Sequence, residues 1–531
     1  MQWGHPQPWS GEGDEAMRRS GAIDPRTPVV VGVGQFTERI DDPGYRGMSS
    51  VELATEAVRA ALADTGADVS TVAGAIEVFA GLRQFEICTP FNKPPFGGSD
   101  NYVRSVANRV GADPARAVLE PIGGNGPQKL MTEFAGAIAA GDIEVALILG
   151  SEPGSTAKYF AGRDDKPDFT EHVDGQLEDR GYGFEQYMSE YTAKHGLTGA
   201  PVQYGLLDNA RRGRLGLSVA DYRHVMAELF APFSKVAAKN PFSSSPVERS
   251  VEEIETVTDE NRMICDPYPR LLVARDTVNQ GAAALVMSVS AARRLGVPED
   301  KWVYLRGHAD QTEQDLLDRV DVSISFSAKQ AVAEALRVAD IGIDDVRTFD
   351  LYSCFPFPVF AVCDDFGLTA DDPRGLTLTG GLPYFGGPGN SYSLHGIAET
   401  VAAMRDKPGS FGLVGANGGV MSKYSVGVYS TEPGEWAADR SKALQQDIAA
   451  LPKVPVTRHA NGTGTIETYS VRYDWPTTTG VIIGRLDADG SRFMALTEDE
   501  NLVALMTDGD PLGARITVKS TDHDINQASL G

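Results

Sequence analysis

The segment "EPIGGNGPQKLMTEFAGAIAAGDIEVALILGSEPGS" runs from Glu120 to Ser155 and predicts a turn, a helix and a strand in succession. A glycine-lined turn opens an Ala-rich helix, which leads into a buried strand and a second turn. A turn at a helix N-terminus presents free backbone N–H groups and the positive end of the helix dipole, so it suits a nucleophile or an anion. Gly123, Gly124, Asn125 and Gly126 fill this turn, and none of them is a nucleophile.

Earlier in the chain, "PVVVGVGQF" (Pro28 to Phe36) is a β-branched run that predicts another buried strand. Its Gly32 and Gly34 resemble the start of a dinucleotide fingerprint, but Thr37 stands where the third glycine belongs and no helix follows at once. The pattern therefore argues against a Rossmann site.

Two segments echo one another and indicate an internal duplication. "ATEAVRAALADTGADVSTVAGAIEVFA", from Ala54, and "AKQAVAEALRVADIGIDDVRTFDLYS", from Ala328, each predict an amphipathic helix, a D-x-G turn, a short helix start and a strand. Since helices and apolar strands alternate in both, we expect two layered α/β halves.

The composition along the chain predicts five segments. We expect a disordered leader at residues 1–24, an N-terminal half at 25–299 with an inserted loop subdomain at about 156–264, and a C-terminal half at 300–432. A partly helical linker at 433–454 then leads to a β-barrel domain at 455–531, where short alternating strands are broken by "DADG" and "DGDPLG" turns. The leader lacks an apolar core segment, so we expect no secretory signal.

The chain has 531 residues and a formal net charge of -25, which disfavours nucleic acid as a partner. No stretch approaches the run of about 18 apolar residues that a membrane helix needs. The four cysteines form no CxxC pair and do not cluster with histidine at metal spacing. We therefore expect a cytoplasmic protein with no membrane partner and no metal site.

Four further motifs carry a family resemblance when taken with the Glu120 segment. They are "RDTVNQGAAALVM" from Arg275, "DLYSCFP" from Asp350, "GGPGNSYSLHGI" from Gly386 and "GLVGANGGVMSKYS" from Gly412. In this order the blocks resemble the thiolase superfamily, in particular its sterol-carrier thiolase-like branch of acetyl-CoA acetyltransferase-like proteins. The resemblance implies an α/β thiolase fold with two similar βαβαβαββ halves in α-β-α-β-α layers, and an inserted loop subdomain that holds coenzyme A.

The same resemblance implies that the reactive groups of a thiolase are missing. A thiolase uses an acylated cysteine, a second cysteine and a histidine. By position, the nucleophilic cysteine matches Gly123, the histidine of the G-H-P loop matches Gly387, and the second cysteine falls at Ala416 or Asn417. Tyr352 matches the Asn or His of the remaining loop. The family implies an acyltransferase, but ordinary thiolysis and Claisen condensation are not expected here.

Other groups in these loops are candidates for catalysis, namely Tyr352, His395 and Asn417, although each could have a structural role instead. Cys88 or Cys354 as a substitute nucleophile is a less favoured alternative, because free cysteines are more often buried packing groups. The candidate substrate-binding residues are Asn125, Gly126, Gly386, Gly418, Gly419, Arg211 and Lys235. We expect coenzyme A or an acyl-CoA as the ligand, with no tightly bound cofactor.

The tail carries a second resemblance. "GTIETYSVRYD" and "GVIIGRLDADGSRFMALT" resemble the oligonucleotide-binding-fold (OB) barrel of acyl-CoA-associated partner subunits, without the zinc ribbon that those subunits often have. In the steroid side-chain aldolases, a thiolase-fold chain works with such a barrel. Three functions therefore remain open: an acyl-CoA-binding protein of lipid or sterol metabolism, an acyl-CoA carbon–carbon lyase that uses Tyr352 or His395 as acid or base, and a non-catalytic scaffold.

The expected oligomeric state rests on one strand. Thiolases usually pair through the strand before the nucleophile turn, here "ARAVLEPI". Pro121 removes a ladder donor and Glu120 adds a charge, and both weaken strand pairing. A monomer is therefore favoured over the homodimer that the family suggests.

Overall fold

The computed structural model describes residues 23–183, 188–473, 477–521 and 523–531, and most of the expected leader, residues 1–22, lies outside the described residues. The α-helices are α1 (Ser50–Asp64), α2 (Val69–Gly74), α3 (Tyr102–Arg109), α4 (Gly126–Ala140), α5 (Gly154–Phe160), α6 (Glu190–Lys194), α7 (Ala200–Leu215), α8 (Val219–Ala237), α9 (Val251–Glu255), α10 (Val289–Arg294), α11 (Phe326–Ala339), α12 (Pro356–Phe366), α13 (Tyr392–Asp406), α14 (Ser441–Ala449) and α15 (Glu500–Asp508).

The strands are β1 (Pro28–Glu38), β2 (Val78–Leu82), β3 (Arg116–Glu120), β4 (Val145–Pro153), β5 (Glu178–Asp179), β6 (Met263–Cys265), β7 (Tyr268–Pro269), β8 (Asn279–Ser288), β9 (Val303–Thr312), β10 (Val346–Leu351), β11 (Phe411–Gly418), β12 (Lys423–Ser430), β13 (Gly462–Arg472), β14 (Thr479–Leu486), β15 (Arg492–Thr497), β16 (Arg515–Ser520) and β17 (Asn526–Leu530). Single 3₁₀ turns lie at Phe85–Ile87, Arg270–Leu272, Glu299–Lys301, Ile343–Asp345 and Gly389–Ser391.

The Glu120 segment folds as its sequence predicts, with β3 leading through the glycine turn into α4 and then β4. Asn125 is the N-cap of α4, and a proline lies in the first turn, where no intrahelical donor is lost. Gly141 ends the helix with φ 86°, in the left-handed region that favours glycine. The turn is thereby fixed at the N-terminal end of a buried helix of 15 residues.

The glycines of the first strand allow a helix to approach closely. A Cβ at Gly34 would lie 2.1 Å from the carbonyl oxygen of Ala57, and one at Gly32 would lie 2.2 Å from that of Ala61. Both carbonyls belong to α1, so bare backbone at these positions lets α1 pack directly on β1. This contact explains the fingerprint-like spacing without a dinucleotide site.

The large sheet shows the duplication that the sequence predicts. Its ten strands run in the order β10-β11-β12-β9-β1-β8-β4-β2-β3-β5. In the first half β2 is parallel to β4 and β4 is antiparallel to β8, and in the second half β10 is parallel to β11 and β11 is antiparallel to β12. The halves meet where β1 and β9 pair antiparallel, with Val29 opposite Tyr304 and Val30 opposite Val303.

The second half differs from the first in one connection. Between α12 and α13, residues 367–391 form loops and a 3₁₀ turn, whereas the first half has β3 at the corresponding place. The buried carboxylate of Asp350 organises this loop, because its Oδ1 accepts from the Thr377 hydroxyl at 2.9 Å and from the Thr379 amide at 3.0 Å. A loop held by side-chain hydrogen bonds therefore replaces a strand.

Helices and sheet halves alternate in five layers. At the centre, α4 and α13 share one apolar core with both halves, and this core contains Phe134, Val401, Ala146 and Val414. On the outer face of the first half lie α1 and α3, and on that of the second half lie α11 and α12. The predicted α-β-α-β-α thiolase layering is therefore confirmed.

The tail forms a closed five-stranded barrel, as the OB resemblance predicts. The strand order is β14-β15-β17-β16-β13, and an additional pairing of β13 with β14 closes it. Helix α15 connects β15 and β16, and the core includes Tyr469, Ile482, Phe493 and Ile516.

The long insertion between β4 and β8 joins the barrel to the second half. Its helix α7 lies along β13, and its strand β6 extends the barrel sheet where Cys265 pairs with Arg472. Side chains of the insertion, the second half and the barrel share one hydrophobic core, which includes Leu207, Phe355 and Ile483.

No helix in the described ranges is long and apolar enough to cross a membrane. Within the same ranges, no group of three or more His, Cys, Asp or Glu residues could hold a metal ion.

Candidate functional site

A cavity of about 400 Å³ lies at the N-terminal end of α4. It is enclosed by the glycine turn, the start of α7, the loops after β10 and before α13, and the turn that joins β11 to β12. The side chains and glycines on which its chemistry depends are Gly123, Gly124, Tyr204, Tyr352, Cys354, Asn390 and Asn417. The separate loops that the sequence picked out by motif thus converge on one space.

The glycine turn is held in place by the loop before α13. The Gly123 N–H donates to Oδ1 of Asn390 at 2.8 Å, and the Ser393 hydroxyl donates to the Gly124 carbonyl at 2.6 Å. Asn390 in turn donates from Nδ2 to the carbonyl of Arg83 at 2.7 Å. One amide of the turn is therefore already engaged by a side chain.

Tyr352 covers the turn from the opposite half. A Cβ at Gly124 would lie 2.4 Å from the Tyr352 hydroxyl and 2.6 Å from the carbonyl oxygen of Asn417. The phenol occupies the space that a side chain on Gly124 would need. In the described part of the chain the Tyr352 hydroxyl has no hydrogen-bond partner, and burial raises its pKa well above the ordinary value. The group can donate a proton to a ligand, but it is a poor anion.

A second cluster of polar groups at the cavity is centred on Tyr204. Its hydroxyl accepts from Nδ2 of Asn417 at 2.6 Å and donates to the Gly419 carbonyl at 2.9 Å. The same Asn417 Nδ2 lies 3.9 Å from Sγ of Cys354, and Tyr204 stacks on Phe355 with ring centroids 4.6 Å apart. These contacts fix Asn417 and the β11–β12 turn to α7.

The two thiols at the cavity are both held protonated. Burial raises the pKa of the Cys354 thiol to about 12, although hydrogen bonding by Tyr204 opposes this shift. Burial also raises the pKa of Cys88, and the carboxyl group of Glu152 adds to the increase. Because the thiolate is the nucleophilic form of cysteine, neither environment activates its sulfur at neutral pH.

The structure separates His395 from the other catalytic candidates. Its side chain is fully buried on α13, outside the set of residues that line the cavity, and its Nδ1 lies 2.7 Å from Oε1 of Gln35. Burial lowers the pKa of His395 to about 3, so the ring is neutral at physiological pH. Tyr352 and Asn417, in contrast, both line the cavity.

The candidate binding residues divide into three groups. Gly419 lines the cavity itself, together with Gly387. A second group packs directly behind the cavity wall. A Cβ at Gly418 would lie 2.2 Å from Oδ1 of Asn125, one at Gly126 would lie 3.0 Å from Leu82, and one at Gly386 would lie 2.3 Å from Gln280.

The third group consists of the two cations of the insertion, which lie away from the cavity lining. Arg211 is buried in an ion pair with Asp364, with Nη2 at 2.6 Å from Oδ1, and its guanidinium lies over the ring of Phe360. Lys235 is exposed on α8.

The roles of two important residues of the cavity could not be predicted from the sequence. Asn390 lies within a quoted motif, but nothing there indicates that it binds the glycine turn. Tyr204 lies in the insertion, 213 positions from the Asn417 that it contacts, so only the tertiary structure reveals its role.

Comparison with known proteins adds four findings. The family model described as the thiolase-like protein type 1 additional C-terminal domain matches residues 443–523. The crystal structure of a monomeric SCP2-thiolase-like protein type 1 from Mycobacterium smegmatis is 62% identical, covers 96% of this chain and 100% of its own, and superposes with a TM-score of 0.83. No curated protein matches the chain.

A more distant structure shares only the fold. The Ltp2-ChsH2(DUF35) aldolase is 19% identical, covers 76% of this chain and 98% of its own, and has a TM-score of 0.54.

Proposed function

Because the chain belongs to the SCP2-thiolase-like proteins of type 1, we propose that it binds an acyl thioester of coenzyme A from lipid or sterol metabolism in the cavity beside α4. It does not catalyse ordinary thiolysis or Claisen condensation. Coenzyme A is an exchangeable ligand here, and neither a tightly bound cofactor nor a metal is required.

The observation that carries this proposal is the position of the cavity at the N-terminal end of α4. Gly123 forms part of the wall there, and a residue without a side chain lets a thin chain such as pantetheine approach closely. Gly387 and Gly419 line the cavity from other loops. Its volume of about 400 Å³ suits the pantetheine arm with part of an acyl group.

The proposed lack of thiolysis rests on the same wall. Gly123 has no side chain to become acylated, and its N–H already donates to Asn390. Cys88 and Cys354 line the cavity, but the raised pKa of each thiol keeps it protonated. The acyl-enzyme intermediate of the thiolases therefore cannot form here, because the site offers no nucleophile.

Calorimetric titration of the full chain with coenzyme A and acetyl-CoA tests the binding proposal. Thr198 lines the cavity and is exposed, so Thr198→Trp should fill the cavity at little folding cost and weaken binding at least about tenfold. Thr517→Trp, the same change on an exposed barrel position, should bind as the unchanged chain does. No heat of binding at millimolar ligand would leave only the scaffold function.

Thiolysis is tested separately with acetoacetyl-CoA and free coenzyme A. The substrate should remain intact over hours at micromolar protein. Brisk cleavage would contradict the proposal that Gly123 leaves the site without a nucleophile.

A second candidate function, carbon–carbon lyase, is favoured by one observation. The Tyr352 hydroxyl, which has no partner among the described residues, faces the cavity over the start of α4. There it could give its proton to the leaving enolate and regain one from the 3-hydroxyl group that becomes the carbonyl. If the chain cleaves a 3-hydroxyacyl-CoA, Tyr352→Phe should lower kcat at least about 100-fold. Tyr304→Phe, at a similarly buried phenol outside the cavity lining, should leave kcat unchanged. An unreactive parent chain, or an unaffected Tyr352→Phe variant, would remove this candidate.

We also propose that the chain is a monomer in the cytoplasm. The relative from Mycobacterium smegmatis is described as monomeric, and here β5 pairs with β3, the strand through which thiolases usually associate. All four cysteines are free, which suits a reducing compartment.

A further inference from the structure

A second cavity, of about 300 Å³, lies on the other side of the β11–β12 turn. The insertion, the end of β9 and the segment leading into the barrel enclose it. Neighbouring residues of the same segments face the two cavities: Tyr204 and Gly419 line the first, and Gln203 and Val420 line the second. The second cavity is therefore a separate space that shares a wall with the first.

Arg319 gives this cavity an unusual charge. The residue is 5% exposed and lines the cavity. Its Nε donates to the Gln314 carbonyl at 3.0 Å and its Nη2 donates to the Met421 carbonyl at 3.1 Å. Its Nη1 has no partner within the described ranges. A buried guanidinium thus binds only neutral carbonyl groups and keeps one nitrogen unsatisfied.

The other buried arginines of the described chain have a carboxylate partner that Arg319 lacks. Each of them forms an ion pair with a carboxylate; the pairs are Arg83 with Asp179, Arg211 with Asp364, Arg212 with Asp510 and Arg492 with Glu467. Arg319 forms no such pair among the described residues. Burying a charge without a directly paired counterion is costly, and burial lowers the pKa of Arg319, although the charges of Glu313 and Asp315 oppose this shift. The adjacent space is where a counterion can lie.

The remaining wall limits the kind of anion. Three carboxylates also line the cavity, those of Glu313, Asp315 and Asp318, together with a second cation, Arg458. The Ser327 amide already binds Glu313 at 2.8 Å, and Lys453 binds Asp318 at 2.7 Å. These acidic groups disfavour a multiply charged ligand such as a phosphate dianion. Apolar side chains form part of the lining, namely Leu197, Leu316, Leu317 and Val420, and hydroxyl and amide side chains form much of the rest. This wall suits a ligand with one negative charge near Arg319 and an apolar chain beside the leucine and valine side chains.

We infer that the second cavity binds a small organic monoanion, a carboxylate on a short apolar chain, whose negative charge lies beside the Arg319 guanidinium. This site is distinct from the proposed coenzyme A site and does not depend on it. The carboxylate supplies the counterion that the other buried arginines receive from the chain itself.

Titration of the full chain with octanoate, 1-octanol and inorganic phosphate tests the inference. Octanoate should bind, and 1-octanol, which lacks the charge, should bind at least tenfold more weakly. Arg319→Met should weaken octanoate binding at least tenfold, whereas Arg26→Met, at an exposed arginine, should not change it. Excess coenzyme A should leave octanoate bound, because the two ligands occupy different cavities.

Several results would overturn the inference. These are no octanoate binding at millimolar concentration, equal binding of 1-octanol, tighter binding of phosphate, retained binding in Arg319→Met, and displacement of octanoate by coenzyme A. If Arg319→Met does not fold, Leu316→Trp fills the cavity from a partly exposed position and keeps the guanidinium. Octanoate should then be lost as well, and its retention would equally reject the site.

Discussion

At Gly124, the backbone leaves room for an atom from the other half of the molecule. The Tyr352 hydroxyl lies where the side chain of residue 124 would otherwise begin, and the Asn417 carbonyl closes the same space. The turn is also bound by Asn390 and by Ser393. A side chain at this position would therefore have to displace the Tyr352 hydroxyl and the Asn417 carbonyl.

We predict that Gly124→Ala lowers the free energy of unfolding by about 1 to 3 kcal/mol, because the new methyl group overlaps a buried hydroxyl and a backbone carbonyl. Urea titration of both proteins measures the difference. Gly44→Ala is the matched control, since a Cβ there meets nothing within 4 Å. Equal stability of the two variants would show that Tyr352 does not occupy this space in solution.

Among the elements, α7 connects the cavity to the barrel. Its first turns carry Tyr204 into the cavity wall, and its later turns lie on β13, where the Asn209 amide donates to the Tyr469 carbonyl at 3.0 Å. Near its end, Arg212 forms a two-point ion pair with Asp510 of the barrel, with distances of 2.8 and 2.9 Å. The barrel therefore holds the helix that shapes one side of the cavity.

We predict that Asp510→Ala destabilises the chain by about 1 to 3 kcal/mol, because it leaves the buried Arg212 guanidinium without its counterion. The value stays below that of a fully buried pair, since the Asp510 side chain is 50% exposed and water screens it. Asp487→Ala removes the partner of the exposed Arg515 in the same barrel and should change little. Thermal unfolding of both variants measures the contrast, and equal losses would contradict it.

At the scale of the whole molecule, the outer edge of β3 decides whether two copies of the chain can pair. Val118 and Leu119 pair with Glu178 and Asp179 of β5, so a strand of the insertion already occupies that edge. Arg180 then ties this strand to the first half, because its guanidinium binds both Glu120 and Glu133. A second copy of the chain would have to displace these contacts before it could add a strand.

We predict that sedimentation velocity finds a single species with the mass of one chain from micromolar to about 100 µM, a range in which a stable dimer is populated. Arg180→Met loosens the cover over β3 and should shift the distribution towards dimer, whereas Arg293→Met, at a partly exposed pair elsewhere on the first half, should not. A concentration-dependent dimer in the parent chain would contradict the proposed monomer.

The sequence by itself determined the elements and their repetition. The helix and strand of the Glu120 segment, the duplicated units from Ala54 and Ala328, and the alternating strands of the barrel all follow local periodicity. Periodicity and turn chemistry act over a few residues, so they can be read without knowing the fold. The family resemblance, rather than local periodicity, pointed to Gly123, Gly387 and Gly419 of the cavity, because the family's motifs stand in order along the chain.

Only the tertiary structure decided which side chains meet. It brought Tyr204 to Asn417 and Tyr352 over Gly124, placed His395 outside the cavity lining, and left Arg319 without a counterion among the described residues. These relations join segments separated by up to hundreds of positions, and no local pattern encodes them. Their physical origin is dense packing, in which each buried polar group takes the partner that the fold places within hydrogen-bonding distance.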